Sequence, residues 1–187
     1  MDLEFAERFH GHRSPGLVLG MRMVQLIYKK MGDMPKGKKI FGIAETRMCL
    51  PDALQIEAQT TTGNKNLIVY NYGKLALSIV LRENGEGYRV SLKKEAIDAS
   101  ARIKKFLLRE GKLSHEERDK LIEDFLNLDE KYFKIEKIRI RLPQRDEQQE
   151  IVECTECGEL QPKNFTVPVN GKFLCQLCSG QSYFKKI

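Results

Sequence analysis

The chain has 187 residues, 41% apolar and 31% charged, which suits one cored domain with a small module, or at most two compact domains, and is too charged for a membrane protein. Its 32 basic residues exceed its 26 acidic ones for a net charge of +6, but the two signs interleave, so charge is a weak argument for a nucleic-acid partner. No apolar run reaches the roughly 18 residues of a membrane span, and the opening Met-Asp-Leu-Glu-Phe-Ala-Glu-Arg is acidic and amphipathic rather than basic then apolar; a cytoplasmic protein with no membrane partner is expected.

In chain order, a helix from Leu3 to about Arg8 leads into Phe9-His10-Gly11-His12-Arg13-Ser14-Pro15-Gly16. Ser14 is a good N-cap and Pro15 suits a first helical position, so a second helix is predicted, apolar through Leu17, Leu19, Met23, Val24, Ile27 and Met31. Gly32 and the stretch from Pro35 to Lys39 end it, and Ile40 to Ala44 reads as a buried strand. Glu45 to Ala53 then carries Cys49 at a strand-to-helix junction, with Pro51 and Asp52 marking the helix start. Leu67 to Tyr70, Leu75 to Leu81 and Tyr88 to Leu92 read as strands, the last two joined through Asn84 to Gly87.

A helix is predicted from Lys93 to about Arg109, then another opened by a capping box at Ser114 and Glu117. A strand resumes at Tyr132 to Leu142. Residues 143–150 are polar and aperiodic, the best candidate linker between a domain at 1–142 and a terminal block at 151–187.

That block reads Cys154-Thr-Glu-Cys157-Gly158, then Cys175-Gln-Leu-Cys178. Two C-x-x-C knuckles present four thiolates to one tetrahedral Zn²⁺ at about 2.3 Å each, and Gly158 permits the tight turn. A redox dithiol needs one such pair, and the long spacer is less typical of an iron–sulfur cluster. One structural zinc per chain is expected, supplying much of the folding free energy of a block too short to fold alone. Asn170-Gly171 centres a hairpin between Val167 and Leu174, and Gly180 to Phe184 suits a short terminal helix; a zinc ribbon or a treble clef fits this outline.

A second constellation is His10, His12 and Cys49, with Glu45 as a further candidate. Histidines two apart in an extended segment point to opposite sides, so one ligand from the pair is expected unless Gly11 turns the chain. A lone cysteine is more often a small buried apolar residue than a ligand.

His10-Gly11-His12-Arg13-Ser14-Pro15-Gly16, with Gly20 and Arg22 following, resembles the His-Gly-His-x-Cys-Pro-Gly opening of the FmdE family, named for a protein associated with formylmethanofuran dehydrogenase. Cys49-Leu-Pro-Asp52-Ala53-Leu-Gln55 resembles its Cys-x-x-Asp-Ala-x-Gln motif. Thr62 to Leu67 with Asn71-Tyr72-Gly73-Lys74-Leu75-Ala76 matches its third. The resemblance covers residues 1 to about 142, and the four-cysteine block matches a finger that many members carry.

It implies an α+β fold with a thioredoxin-like mixed sheet flanked by helices. It also implies a second metal or active site from His10, His12, Cys49 and Asp52, with Tyr72 and Lys74 lining the pocket. Ser14 stands where the family has cysteine and is a poor zinc ligand, because its hydroxyl stays protonated. The implied function is a metal-binding protein accessory to a molybdenum or tungsten oxidoreductase, with components of that enzyme as partners. If the chain is itself catalytic, Cys49 would be thiolate ligand or nucleophile, a histidine the ligand or acid/base, and Asp52 the orienting group.

The competing expectation is a nucleic-acid or protein-interaction module acting through Lys163, Lys172, Lys185 and Lys186 of the finger, with Lys137, Arg139 and Arg141 adding basic surface. Glu153, Glu156 and Glu159 beside the first knuckle argue against it. A third is a finger that braces a dimer or covers the pocket; a homodimer is the expected oligomer on base rates.

Overall fold

The structure, a computed structural model, describes residues 1–32, 35–143, 149–185 and 187. It divides into two units, Met1–Leu142 and Pro143–Ile187; residues 144–148 of the expected linker, and Lys186, lie outside the described residues.

The first unit opens with α1 (Leu3–His10), two residues longer than expected and closed by Gly11 at φ 85°, whose N–H bonds the Glu7 carbonyl. Ser14 then accepts the Leu17 N–H at 3.4 Å, and α2 (Pro15–Met31) begins as predicted. This helix is buried almost all round along its first three turns, which is why its sequence carries no polar stripe there. It packs on a sheet and touches α3 (Leu50–Ala58) and α5 (His115–Leu126).

The sheet holds β1 (Ile40–Ala44), β2 (Leu67–Val69), β3 (Ala76–Leu81), β4 (Glu86–Leu92) and β5 (Phe133–Arg139) in the order β2-β1-β3-β4-β5. β1 and β2 run parallel and the other pairs antiparallel, so the fold is α+β with a mixed sheet. The β3–β4 hairpin closes tightly because Gly87 faces the Ile79 carbonyl: a Cβ there would lie 2.0 Å from that oxygen.

The helix expected from Lys93 to Arg109 is broken. A 3₁₀ segment spans Lys94–Asp98, and α4 (Ala101–Leu107) starts afresh after Ser100, whose Oγ accepts the Ile103 N–H and donates to Asp124. A serine that caps ends one helix and starts another. The capping box of α5 forms as read, with Ser114 and Glu117 bonding each other's backbone N–H. Among the described residues no helix is long and apolar enough to cross a membrane.

The second unit is two hairpins, β6 (Ile151–Glu153) with β7 (Leu160–Pro162), and β8 (Val167–Val169) with β9 (Lys172–Leu174). Asn170 and Gly171 turn the second hairpin at φ 49° and 76°, pairing Val167 with Leu174 as expected. The terminal helical turn covers Leu177–Gln181, earlier than Gly180 to Phe184, because Gly180 at φ 98° ends it.

Candidate metal centre and thiol pocket

Each hairpin of the second unit delivers one cysteine pair. Cys154 and Cys157 lie in the β6–β7 turn, which Gly158 closes at φ 77° by donating to the Cys154 carbonyl. Cys175 and Cys178 follow β9. The four sulfurs lie within 4.8 Å of one another. Cys157 and Cys175 sulfurs are 3.9 Å apart, against roughly 3.8 Å for two thiolates sharing a tetrahedral zinc.

Backbone amides prepare the site: Cys175 N–H donates to the Cys154 sulfur and Cys178 N–H to the Cys175 sulfur, each at 3.3 Å. The N–H groups of Cys157, Cys175 and Glu156 pull the Cys154 thiol down to about 6, whereas hydrogen bonding to Cys175 and then burial push Cys178 up. The Cys154 thiolate forms easily while Cys157 and Cys178 resist, a set that a cation completes. These four cysteines can hold one metal ion, and a donor set of four sulfurs is consistent with zinc.

In the first unit the three sequence motifs converge, but not on one point. His10 Nδ1 lies 2.6 Å from Asp52 Oδ2, and Gln55 Nε2 donates to Asp52 Oδ1 at 3.2 Å. The carboxylate orients the ring through Nδ1 and leaves Nε2 as the nitrogen that could reach a metal. Gly11 does turn the chain, and the His10 and His12 rings sit 4.7 Å apart.

Cys49 is the N-cap of α3, three residues before Asp52, and its sulfur lies 3.4 Å from Ser14 Oγ. The approach depends on α2 glycines: a Cβ on Gly16 would meet the Cys49 sulfur at 3.0 Å, and one on Gly20 would meet Ala53 Cβ at 2.7 Å. Among the described residues, only the four finger cysteines gather three or more His, Cys, Asp or Glu ligand atoms within 4.8 Å; His10, His12 and Cys49 do not.

Glu45 is not available as a ligand. It is 8% exposed and both its oxygens accept from Arg89, at 2.5 Å from Nε and 2.9 Å from Nη2. Its backbone carbonyl also accepts the N–H groups of Tyr72 and Lys74, fixing the third motif beside the first two.

A cavity of about 540 Å³ opens beside these groups, with His12 and Ser14 in its wall. The third motif reaches it through Gly73 and Leu75. Tyr72 is 62% exposed and stacks on Tyr70 at 5.5 Å, and Lys74 is exposed. His10 and Cys49 are not part of the wall but touch two residues of it, His12 and Ser14 respectively.

The remaining wall comes from α4, α5 and their connection, including Phe106, Arg109, Lys112 and Arg118. The sequence assigned none of these a functional role; Phe106 was expected only on the apolar face of a helix. The local signal was the run Arg109-Glu110-Gly111-Lys112 between two helices, which reads equally well as a solvated turn.

An α+β domain with a His–Asp pair and a part-buried Ser–Cys contact beside a cavity, joined to a four-cysteine metal unit, defines a small two-unit metal-binding protein. The sequence profile described as "FmdE, Molybdenum formylmethanofuran dehydrogenase operon" matches residues 9–134, and the chain belongs to that family. A tungsten formylmethanofuran dehydrogenase FmdE-like protein from Syntrophus aciditrophicus, known from its crystal structure, is 30% identical with a TM-score of 0.79, over 98% of this chain and 92% of that one. A "Probable S-adenosyl-L-methionine-binding protein" of Archaeoglobus fulgidus is 32% identical over 95% of this chain; the chain spans 52% of that relative's length.

Proposed function

We propose that this protein is a cytoplasmic accessory to a molybdenum or tungsten oxidoreductase of the formylmethanofuran dehydrogenase type, with a ligand pocket in its first unit and a structural Zn²⁺ in its second. The observation that carries this reading is where the family match falls: residues 9–134 include His10, Ser14, Cys49, Asp52 and every residue lining the cavity. We read the sheet as a thioredoxin-like variant. We read the four-cysteine unit as a treble clef, because a knuckle, a hairpin and a helical turn carrying Cys178 follow one another.

The test is affinity capture of the tagged chain from its native cell, followed by molybdenum and tungsten analysis of the eluate. A metal-bearing partner protein absent from an untagged control is expected; an eluate with neither metal above that control overturns the accessory role.

A second reading takes the cavity as a site for S-adenosyl-L-methionine, after the name of the Archaeoglobus fulgidus relative. Its volume supports this, since about 300–1,000 Å³ accommodates such ligands. Its charge argues the other way.

A further inference from the structure

We propose that the cavity beside Ser14 binds a small organic polyanion with a flat apolar body, its carboxylate or phosphate groups held by Arg109, Lys112 and Arg118. The inference rests on reading that cavity as a ligand site and is independent of any partner enzyme.

The wall has two chemistries. Pro15, Met48, Leu75, Phe106, Leu107 and Leu113 form an apolar surface, and Arg13, Lys105, Arg109, Lys112 and Arg118 bring cations to it. In a chain with 26 acidic residues against 32 basic ones, no acidic side chain among the described residues lines this cavity. A solvated surface of this composition would interleave the signs, as the rest of the chain does.

Two of the cations are neutralised from outside the lining, Arg13 by Asp119 at 3.3 Å and Lys105 by Glu117 at 2.9 Å. Arg109, Lys112 and Arg118 have no carboxylate partner among the described residues. Cations without counter-charge beside an apolar wall focus a positive potential into the cavity, because field lines spread less through the low-dielectric side. The group that relieves this is an anion, and guanidinium forks match carboxylate and phosphate oxygens in pairs.

The apolar surface sets the other half of the ligand. Phe106, Leu107 and Leu113 are partly buried and present an edge on which a ring or short hydrocarbon body fits. Arg109 holds φ 55° and Gly111 φ 87° in the connection between α4 and α5, so the turn carrying two of the three cations keeps a backbone that arginine seldom adopts. S-adenosyl-L-methionine carries a sulfonium and an ammonium against one carboxylate, and three unpaired cations repel that balance.

The experiment is titration calorimetry on the full, zinc-loaded chain, without free divalent ions. The probes are inorganic triphosphate, citrate, ATP, adenosine and S-adenosyl-L-methionine. ATP is the probe that joins several charges to a flat ring, so it should saturate the chain, bind tighter than triphosphate or adenosine alone, and weaken about tenfold or more between about 50 and 300 mM salt. The tighter of triphosphate and citrate assigns the head group as phosphate or carboxylate.

Replacing Arg109, Lys112 and Arg118 together by alanine should weaken ATP binding at least about tenfold. These side chains are exposed, so melting should be unchanged. A control replacing exposed Lys38, Lys39 and Lys94, with the same loss of charge, should weaken it less than about threefold.

The proposal is overturned by absence of saturable polyanion binding up to about 1 mM, by equal weakening in the control, or by tighter binding of S-adenosyl-L-methionine than of ATP. Because the isolated chain is titrated, this result stands apart from whether an oxidoreductase is captured.

Discussion

The Ser14 hydroxyl oxygen lies 3.4 Å from the Cys49 sulfur, bringing the first and second sequence motifs into contact at the wall of the cavity. A sulfur in place of that oxygen would stand within easy reach of a bond of about 2.05 Å. Ser14→Cys should therefore form a disulfide with Cys49 under mild oxidation, seen as a mass loss of about 2 Da and protection of both thiols from alkylation. Recovery of both thiols as free after oxidation would show that the two side chains do not meet.

Gly20 tests the contact that places Cys49. Alanine there gains about 1 kcal/mol of helix propensity, but its Cβ would lie 2.7 Å from Ala53 Cβ with Leu50 Cα at 3.4 Å, an overpacking worth about 1–3 kcal/mol. Backbone lies behind the clash, so packing should win. Gly20→Ala is expected to destabilise the first unit by up to about 2 kcal/mol in urea, and Ala53→Gly in the same chain should restore part of that loss.

His10 and Asp52 should behave as a coupled pair. The ring is 11% exposed and the contact is 2.6 Å, so a double-mutant cycle with His10→Ala and Asp52→Ala should give about 1–2 kcal/mol of interaction. Additive losses within about 0.3 kcal/mol would mean that the pair contributes nothing.

The finger should hold one zinc and depend on it. Cys154→Ser with Cys157→Ser should lower the bound metal, read by elemental analysis, by about one ion per chain and unfold residues 151–187, while the first unit keeps its melting transition. Protons compete with metal for the thiolates, so zinc should leave as pH falls; the N–H groups that hold Cys154 at about 6 postpone this.

Tyr28 gives a pH dependence in the alkaline range. Burial first, then the Glu57 charge, push its phenol from 10.0 to about 12, and its hydroxyl donates to the Glu57 carbonyl at 3.3 Å. A folded value above the unfolded one means that this contribution is complete below about pH 10 and is lost as pH rises toward about 12. Tyr28→Phe should flatten the fall of stability between those values in urea titrations, at the cost of about 1 kcal/mol for the lost hydrogen bond at neutral pH.

Local chemistry was legible in the sequence wherever a few neighbouring residues decide it. The caps at Ser14 and Ser114, the Asn170-Gly171 hairpin and the two cysteine knuckles are of that kind. The break at Ser100 was missed because periodicity averages over a helix, whereas a single capping hydroxyl ends one. Tyr72 and Lys74 belong to the motif that reaches the cavity, yet the chain turns so that Gly73 and Leu75 supply the wall. Motif membership says that a segment is near a site and not which side chains face it.

The α+β class, the four-sulfur metal unit and the family could all be read from the chain before it was folded, because each is written in spacings along one stretch of residues. Folding was needed to learn that Glu45 is spent on Arg89, that Cys49 meets Ser14, and that Arg109, Lys112 and Arg118 gather beside an apolar wall. The first two relations join residues far apart in the chain, and the third sets the turn between α4 and α5 beside Pro15, Met48 and Leu75. Close packing fixes the last two, through the α2 glycines and the turn between α4 and α5, and no local pattern encodes a distance of that kind.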